Sequence, residues 1–431
     1  MPALLRSILV LLFALALSAC QHTPMTHTSD QAFPGAIGFG TGTPGGRGGQ
    51  IIKVTTLAAS GPGSLRAALD VTGPRIVVFE VGGIIDLDRN DLVVREPFVT
   101  IAGQTAPSPG ITLIRAGMKI RTHDVVMQHL RIRMGDAGLA KKSGYESDVS
   151  IEGKNAWNVV VDHCSVSWGT DENLSVSGER YDGPLGTARL VTLSNNIIAE
   201  GLVDSTHEKG KHSMGSLIHD SVTEVAVIGN LYAHNNDRNP WFKGGTTGMI
   251  INNFVYNPGT WAIRLGYNPK EWEGRAAPPA PMLAIIGNVM QHGANTPTGK
   301  GFIGSNAPDR QGDAWMDDNL AFTTSGAAAP LAFGGVRSLS APPAWAIGIA
   351  VQPANTIREH VLNRAGARPA DRDSVDLRLI ADIRAGKGHH IDSQNDAGGY
   401  PQAAPSHRSL TPPKDRIDAW LASFSASVEG R

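Results

Sequence analysis

The sequence predicts an all-β protein, a right-handed single-stranded parallel β-helix with a capping helix at its N-terminal end and helical or irregular segments packed on it near the C-terminus. The first observation is a repeat: short runs of β-branched or aliphatic residues, each ending in Asn or His, recur as VVMQH, VVVDH, TLSNN, AVIGN, IINN and AIIGN. Their last residues are 129, 163, 196, 230, 253 and 288. Spacings of about 23 to 35 residues are those of the coils of a solenoid.

Composition is the second observation. The 431 residues include 50 Gly and 27 Pro, which indicates many turns. The chain is 41% hydrophobic but only 6% aromatic, so the predicted core is aliphatic. An antiparallel β-sandwich is the alternative fold, but the repeats are too long and uneven for successive hairpins. We therefore expect a stack of coils with an inward Asn at one turn, where each amide bonds the coils above and below it.

The ends of a solenoid must be covered, and the third observation concerns these covers. GPGSLRAALD, residues 61–70, predicts a short helix with Ser64 near its N-cap, placed over the first coil. Three later stretches predict helices that pack on the flank or the far end: 355–366, 373–386 and 414–424. The predicted β-helix domain spans 32–325, and the C-terminal segment that packs on it spans 326–431.

The first twenty residues resemble an export signal. Arg6 is followed by an apolar run and by LSAC, which resembles the bacterial lipoprotein box. We expect a lipoprotein signal peptide at 1–19, lipidation of Cys20, a polar tether at 20–31, and an exported protein of the outer membrane or periplasm. An ordinary secretory signal with a chance cysteine is the alternative. Cys164 is then unpaired and is expected to be a buried apolar residue.

The net charge is -1, which gives no general electrostatic reason to bind nucleic acid or a membrane surface. Membrane contact is expected only through the N-terminal lipid, and the protein is expected to be monomeric. An anionic partner would have to be held by a local cluster of cations. The turn-like stretch HNNDRNPWFKGG offers one, because it carries Arg238 and Lys243 against a single acid, Asp237.

Several motifs, in order along the chain, resemble the pectate lyase superfamily and specifically the family 1 polysaccharide lyases. The resemblance covers about residues 33–300. FPGAIGFG, GGRGG and VTTLAASGPGSLRAAL resemble the N-terminal segment of that family, NVVVDHCSVS its aspartate–histidine signature, and NNDRNPWFKGG its arginine–x–proline segment. The resemblance implies an enzyme that cleaves an acidic polysaccharide, pectate or another polyuronate, by β-elimination.

The resemblance also implies bound Ca2+. Glu146 and Asp148 match the family's first pair of calcium ligands, and Asp171 matches the start of its second pair. Ser175 stands where the family has an aspartate, and either Glu172 or Asn173 is expected to substitute for it as a ligand. Carboxylate and hydroxyl oxygens suit calcium, which takes six to eight oxygen ligands. Solvated turn acids without a metal are the alternative.

The cations receive roles by the same resemblance. Arg238 matches the family's proposed catalytic base, and Lys243 matches a cation that contacts a substrate carboxylate. The substrate is then expected to supply the missing negative charge. The family lysine that precedes this arginine falls on Met214, so Lys209 and Lys211 are the candidate replacements for binding substrate.

Other functions remain open at this point. A glycoside hydrolase on the same fold needs two facing carboxylates, whereas Asp171 and Glu172 are adjacent in sequence and would point to opposite faces of a strand. A glycan-binding β-helix lipoprotein without activity is the non-enzymatic alternative. HEKGKH, residues 207–212, lacks the helical spacing of a zinc-protease motif and predicts no zinc. Arg131 and Arg133 are expected either in the substrate groove or on a solvated face.

Overall fold

The computed structural model describes residues 31–305, 312–343, 345 and 350–431. Their backbone forms three long sheets of parallel strands, which confirms the predicted β-helix. The predicted signal peptide, the lipidation site Cys20 and nearly all of the tether lie outside the described residues. Within the described ranges, no helix is both long enough and apolar enough to cross a bilayer.

Within the described residues, each of nine complete coils contributes one strand to each sheet, and sheet 1 has one further strand at either end. Sheet 1 contains Gln50–Val54, Arg75–Phe79, Val99–Ala102, Val125–Gln128, Trp157–Asp162, Arg189–Ser194, Thr223–Ile228, Thr247–Ile251, Met282–Ile286, Gly312–Asp317 and Val336–Ser338. Sheet 2 contains Val81–Asp86, Ile111–Ile114, Leu130–Arg133, Ser165–Ser167, Ile197–Ala199, Leu231–Ala233, Phe254–Tyr256, Val289–Gln291 and Leu320–Phe322, with Ser406–His407 added antiparallel at one edge. Sheet 3 contains Leu92–Val94, Met118–Ile120, Val149–Glu152, Leu174–Ser177, Leu217–Ile218, Trp241–Phe242, Ile263–Leu265, Ile303–Ser305 and Ala332–Phe333.

The inward side chains of the three sheets form one aliphatic core that runs along the stack. Val125, Val159, Val191 and Val225 lie in successive register in sheet 1, and all are buried. β-Branched residues suit this stacking because their side chains pack well on a pleated surface. The parallel strands continue to Val336–Ser338, beyond the predicted end of the β-helix domain at residue 325.

The predicted asparagine ladder occupies the turn between sheets 1 and 2. The side-chain oxygen of Asn230 accepts hydrogen bonds from the backbone and side-chain nitrogens of Asn196, at 2.9 and 3.0 Å. The same two bonds link the next coils: Asn230 to Asn253, Asn253 to Asn288 and Asn288 to Asn319. The ladder thus satisfies buried amides that would otherwise oppose folding.

The histidines of the repeat occupy a different place from these asparagines. In register, Cys164 precedes Ser165 as Asn196 precedes Ile197, so Cys164 stands at the ladder position and His163 one residue before it. His163 has a φ of 46°, in the left-handed region, as do Asn195 and the other residues that begin this turn. Burial raises the pKa of the Cys164 thiol to about 12, which agrees with the predicted inert, apolar role.

Helix α1 (Leu65–Leu69) covers the first coil as predicted. The Ser64 hydroxyl accepts a hydrogen bond from the backbone of Ala67, which caps the helix. Leu65 and Leu69 insert into the main core. The helix therefore seals apolar side chains that the first coil would expose.

Helices α2 (Ala354–Arg364) and α3 (Ser374–Arg384) pack on sheet 2, and helix α4 (Ile417–Glu429) packs on sheet 1. Arg131 and Arg133 were expected in the groove or in solvent, and both expectations are wrong. They lie fully buried on sheet 2 beneath α3, where Arg133 pairs with Asp376 at 2.6 Å. The apolar faces of the three helices thus cover the outward faces of sheets 1 and 2. The outward face of sheet 3 is not covered by these helices and carries polar side chains.

Candidate functional site

The candidate site is the outward face of sheet 3 together with the turns that lead into its strands; we call it the sheet 3 surface. Leu217, Trp241 and Arg264 lie in successive register on three neighbouring strands. One turn upstream, bridges place Met214 between Glu172 and Asp237. Residues from coils far apart in sequence therefore form one continuous polar surface.

Arg238 lies at the centre of this surface, on a residue with φ of 63° just before the strand Trp241–Phe242. Its guanidinium forms an ion pair with Glu172 and lies 5.5 Å from the ring centroid of Trp241. Burial lowers the pKa of Arg238 to about 10, against the opposing effect of the negative charge on Asp171 and with the help of the nearby cation Arg264. Burial of Arg238 thus favours loss of its proton, whereas the negative charges of Glu172 and Asp171 oppose that loss.

The spacing of two histidines in HEKGKH predicted no zinc site, but the structure places both of them near Arg238. His207 and His212 stack with ring centroids 3.6 Å apart, because the non-helical segment between them folds back on itself. The Nε2 of His207 is 3.1 Å from a carboxylate oxygen of Glu146, and the Nε2 of His212 is 3.3 Å from one of Asp171. Burial alone would raise the pKa of Asp171, but the bond with His212 and the charge of Arg238 hold it below its usual range.

The five residues predicted to bind calcium do not converge on one point. Asp148 pairs with Lys119, Glu172 pairs with Arg238, and the Ser175 hydroxyl accepts a bond from the Leu217 backbone at 3.3 Å. Only Glu146 and Asp171 share a cluster, and their partners there are the two imidazoles. Calcium takes oxygen ligands, so this mixed nitrogen and oxygen set fits it poorly.

Lys243 is not the unpaired cation that the sequence suggested. It is only 1% exposed, and its ammonium contacts Asp220 at 3.0 Å and also Glu271. The expectation that substrate supplies the only negative charge near this turn is therefore wrong, for Arg238 as well as Lys243. Glu172, Asp220 and Glu271 all come from other coils, which is why the local sequence did not reveal them. Lys209 and Lys211 are exposed beside the histidine cluster.

Several surface residues were missed by the sequence interpretation. The Arg264 guanidinium lies 3.7 Å from the ring centroid of Trp241 and bonds Asp237 at 2.7 Å. The Lys300 ammonium lies 4.3 Å from the ring centroid of Trp261. One signal was available: Arg264 follows Trp241 by 23 residues, the shorter of the repeat spacings, so the two had to be neighbours across coils.

The amino-acid sequence is similar to those of several curated proteins. It is 36% identical over 382 residues to a probable pectate lyase C of Neosartorya fischeri, a match that covers 85% of this chain and 81% of the relative. A probable pectate lyase C of Aspergillus fumigatus is 36% identical over 366 residues, covering 82% of this chain and 77% of the relative. No family model matches the chain.

Solved structures share the fold at low sequence identity. The cedar pollen allergen jun a 1 superimposes with a TM-score of 0.56 at 20% identity, covering 77% of this chain and 92% of the allergen. A pectate lyase bound to a hexasaccharide superimposes with a TM-score of 0.52 at 13% identity, covering 80% of this chain and 99% of the other. These likenesses agree with the parallel β-helix built from the sequence.

Proposed function

The chain belongs to the pectate lyase family, and on this basis we propose that it cleaves a uronic-acid polymer, pectate (polygalacturonate) first among them, by β-elimination with Arg238 as the base. The family relationship rests on relatives at 36% identity over most of both chains. The observation that carries the proposal is Arg238, whose pKa falls to about 10 on a surface otherwise rich in cations and aromatic rings.

β-Elimination begins at the carbon beside the sugar carboxylate. The neutral form of the Arg238 guanidine accepts the proton from C5, and the electron pair of that C–H bond forms the C4–C5 double bond. The bond from C4 to the glycosidic oxygen breaks, and the leaving oxygen takes a proton from water. Arg238 then returns its proton to solvent. Positioned bases of this kind accelerate proton transfer by about 100-fold to 10,000-fold.

The environment of Arg238 makes this role chemically reasonable. Arginine at its ordinary pKa above 12 is protonated at every physiological pH. With the pKa at about 10, roughly one molecule in a hundred carries the neutral guanidine at pH 8. As the guanidine of Arg238 takes the C5 proton it becomes a cation, and this charge offsets the negative charge that develops on the substrate carboxylate.

The neighbouring cations and rings support a polyuronate as substrate. Arg264 lies over the buried ring of Trp241, and Lys300 lies over the half-buried ring of Trp261, so positive charge lines this part of the sheet. A guanidinium group donates paired hydrogen bonds to a carboxylate, and an aromatic face packs against the apolar face of a sugar ring. Burial lowers the pKa of Lys300, so an anion that binds beside its ammonium stabilises the charged form.

Calcium is the metal that the family resemblance implies. Of the predicted ligands, only Glu146 and Asp171 lie together, and the imidazoles beside them are poor ligands for a hard cation. We therefore route no step of the reaction through calcium. Calcium dependence stays a prediction of the resemblance, and its test is a comparison of the initial rate in calcium with the rate in chelator.

The sheet 3 surface argues against a glycoside hydrolase. That chemistry needs one carboxylic acid with a raised pKa and a second carboxylate about 5 to 9.5 Å away. The pKa of Asp171 is instead held below its usual range by His212 and Arg238 against the effect of burial, and Glu172 is engaged by Arg238. Burial raises the pKa of Asp237, but its carboxylate accepts hydrogen bonds from Arg264 at 2.7 Å and from the Arg238 backbone at 2.6 Å. A glycan-binding protein without activity would bind the polymer but leave it intact.

The proposal is tested by the ultraviolet absorbance of polygalacturonate incubated with the purified protein. Only elimination creates a double bond conjugated to the carboxylate, so a steady rise in absorbance is expected. New reducing ends without a rise would indicate hydrolysis, and binding without either would indicate a glycan-binding protein. Export and the lipid at Cys20 are separate predictions, tested by fatty-acid labelling of the wild-type chain and the Cys20→Ser variant.

A further inference from the structure

A second cluster of histidines lies away from the sheet 3 surface, at the turn between sheets 1 and 2. His129 and His163 occupy equivalent positions on neighbouring coils, and their rings stack with centroids 5.3 Å apart. Glu429, at the end of α4, faces both rings. Its two carboxylate oxygens lie 3.5 Å from the Nε2 of His129 and 3.4 Å from the Nε2 of His163.

The hydrogen bond made by the Nδ1 of each ring determines which ring nitrogen carries the proton. The Nδ1 of His129 lies 2.7 Å from the carbonyl oxygen of Ala367, and the Nδ1 of His163 lies 2.8 Å from a carboxylate oxygen of Asp162. Both oxygens accept hydrogen bonds, so each Nδ1 carries a proton and donates it. In the neutral rings, the two Nε2 lone pairs therefore point toward Glu429.

This arrangement leaves one buried acceptor without a partner. His129 is 0% exposed, and its Nε2 makes no hydrogen bond to any described residue. If His163 carried a second proton, its two N–H groups could donate to Asp162 and Glu429. The Nε2 of His129 would still face a carboxylate oxygen, with no proton between the two atoms. A cation held between the three side chains satisfies both rings at once, and it removes the repulsion between lone pairs.

We propose that His129, His163 and Glu429 form a binding site for a divalent transition-metal ion of the zinc type, which fastens α4 to the coils. Metal-bound histidines characteristically donate their outer N–H to a carboxylate or a carbonyl, as both rings do here. Two atoms that each lie 2.0 to 2.2 Å from one tetrahedral ion are roughly 3.4 Å apart, close to the separations observed. Two imidazoles and one carboxylate suit zinc and disfavour calcium or magnesium.

Access and the remaining ligand position are provided by a neighbouring cavity of about 360 Å³. Its lining includes His163, Asn195, Ser425 and Glu429. The cavity reaches two of the three ligands and is partly polar, so a water molecule can complete the coordination. The side chain of Arg431 also contacts Glu429 at 2.8 Å and keeps one carboxylate oxygen in place.

The test is zinc binding by the full chain after treatment with chelator and dialysis. We expect one equivalent of Zn2+ bound with a Kd of about 1 µM or tighter, by calorimetry and metal analysis. Glu429→Gln keeps the size of the side chain and should weaken this equivalent by about 100-fold or more, since even outer partners of a zinc ligand change affinity 10-fold to 100-fold. Glu359→Gln, on the exposed face of α2, is the matched control and should bind as wild type.

Two further variants separate this site from the cluster on the sheet 3 surface and from a folding defect. His212→Gln should keep the tight equivalent, whereas His129→Gln should lose it. Co2+ gives a readout independent of activity, because cobalt bound by nitrogen and oxygen absorbs visible light; the absorption should be present in wild type and absent in His129→Gln. Absence of a tight equivalent in wild type, or its survival in folded Glu429→Gln, would overturn the proposal.

Discussion

Glu172 and Arg238 form an ion pair that spans the intervening coil, which carries Met214. This pairing changes the expected role of Glu172, from a substitute calcium ligand to a partner that orients the base. It also places a negative charge beside the guanidinium before substrate arrives. A substrate carboxylate must therefore approach Arg238 alongside Glu172 and Asp171, and the neighbouring cations Arg264 and Lys300 offset that repulsion.

The pH dependence of the reaction should report the pKa of Arg238. Only the neutral guanidine accepts a proton, and its fraction rises tenfold for each pH unit below a pKa of about 10. We expect kcat/KM on polygalacturonate to rise with a slope near one from pH 7 to about pH 9 and to level off only above about pH 10. Initial rates across buffers of constant ionic strength measure this profile. A plateau reached near pH 7 would contradict Arg238 as the base.

Lys300 should contribute to binding and little to chemistry. Replacing it with Gln removes a cation from beside Trp261 and Phe333 without emptying the space. We expect KM for the polymer to rise about threefold to tenfold, with kcat unchanged and a weaker dependence of KM on salt. Lys387→Gln, an exposed lysine beyond the end of α3, is the control. Equal effects of the two substitutions would remove Lys300 from the binding surface.

Lys243 should prove important for stability. Its ammonium is buried between Asp220 and Glu271, and Lys243→Met would leave the fully buried Asp220 with less compensation. Breaking such a pair costs about 3 kcal/mol of unfolding free energy. Urea denaturation of Lys243→Met beside the double variant Lys243→Met/Asp220→Asn measures the loss and its partial recovery. Unchanged stability with a large rise in KM would instead support the predicted contact of Lys243 with substrate.

The sequence predicted those features that repeat or depend on neighbours along the chain. The Asn196 to Asn288 ladder, the Ser64 cap and the three C-terminal helices follow from local patterns, and all are present. Partners from different coils could not be predicted in the same way. Lys243 meets Glu271 28 residues later, and Arg133 meets Asp376 243 residues later, because stacking and helix docking bring them together.

The contacts of His207 and His212 could not be predicted from the sequence either. The spacing of His207 and His212 was compared with that of a helical zinc motif, but the segment that carries them is not helical. Its fold brings the rings into contact with each other and with acids from two earlier turns. No periodicity encodes such a loop, so its contacts depend on the tertiary structure alone.

The most direct test of the central claim compares wild type with Arg238→Ala on polygalacturonate. The absorbance of the unsaturated product gives turnover, and calorimetry with an oligomer of galacturonate gives affinity. The account predicts that turnover falls by at least about 100-fold while the Kd changes by less than about tenfold, because a base acts in the transition state more than in binding. Retained turnover, or an equal loss of turnover and affinity in a correctly folded variant, would contradict the assignment of Arg238 as the base.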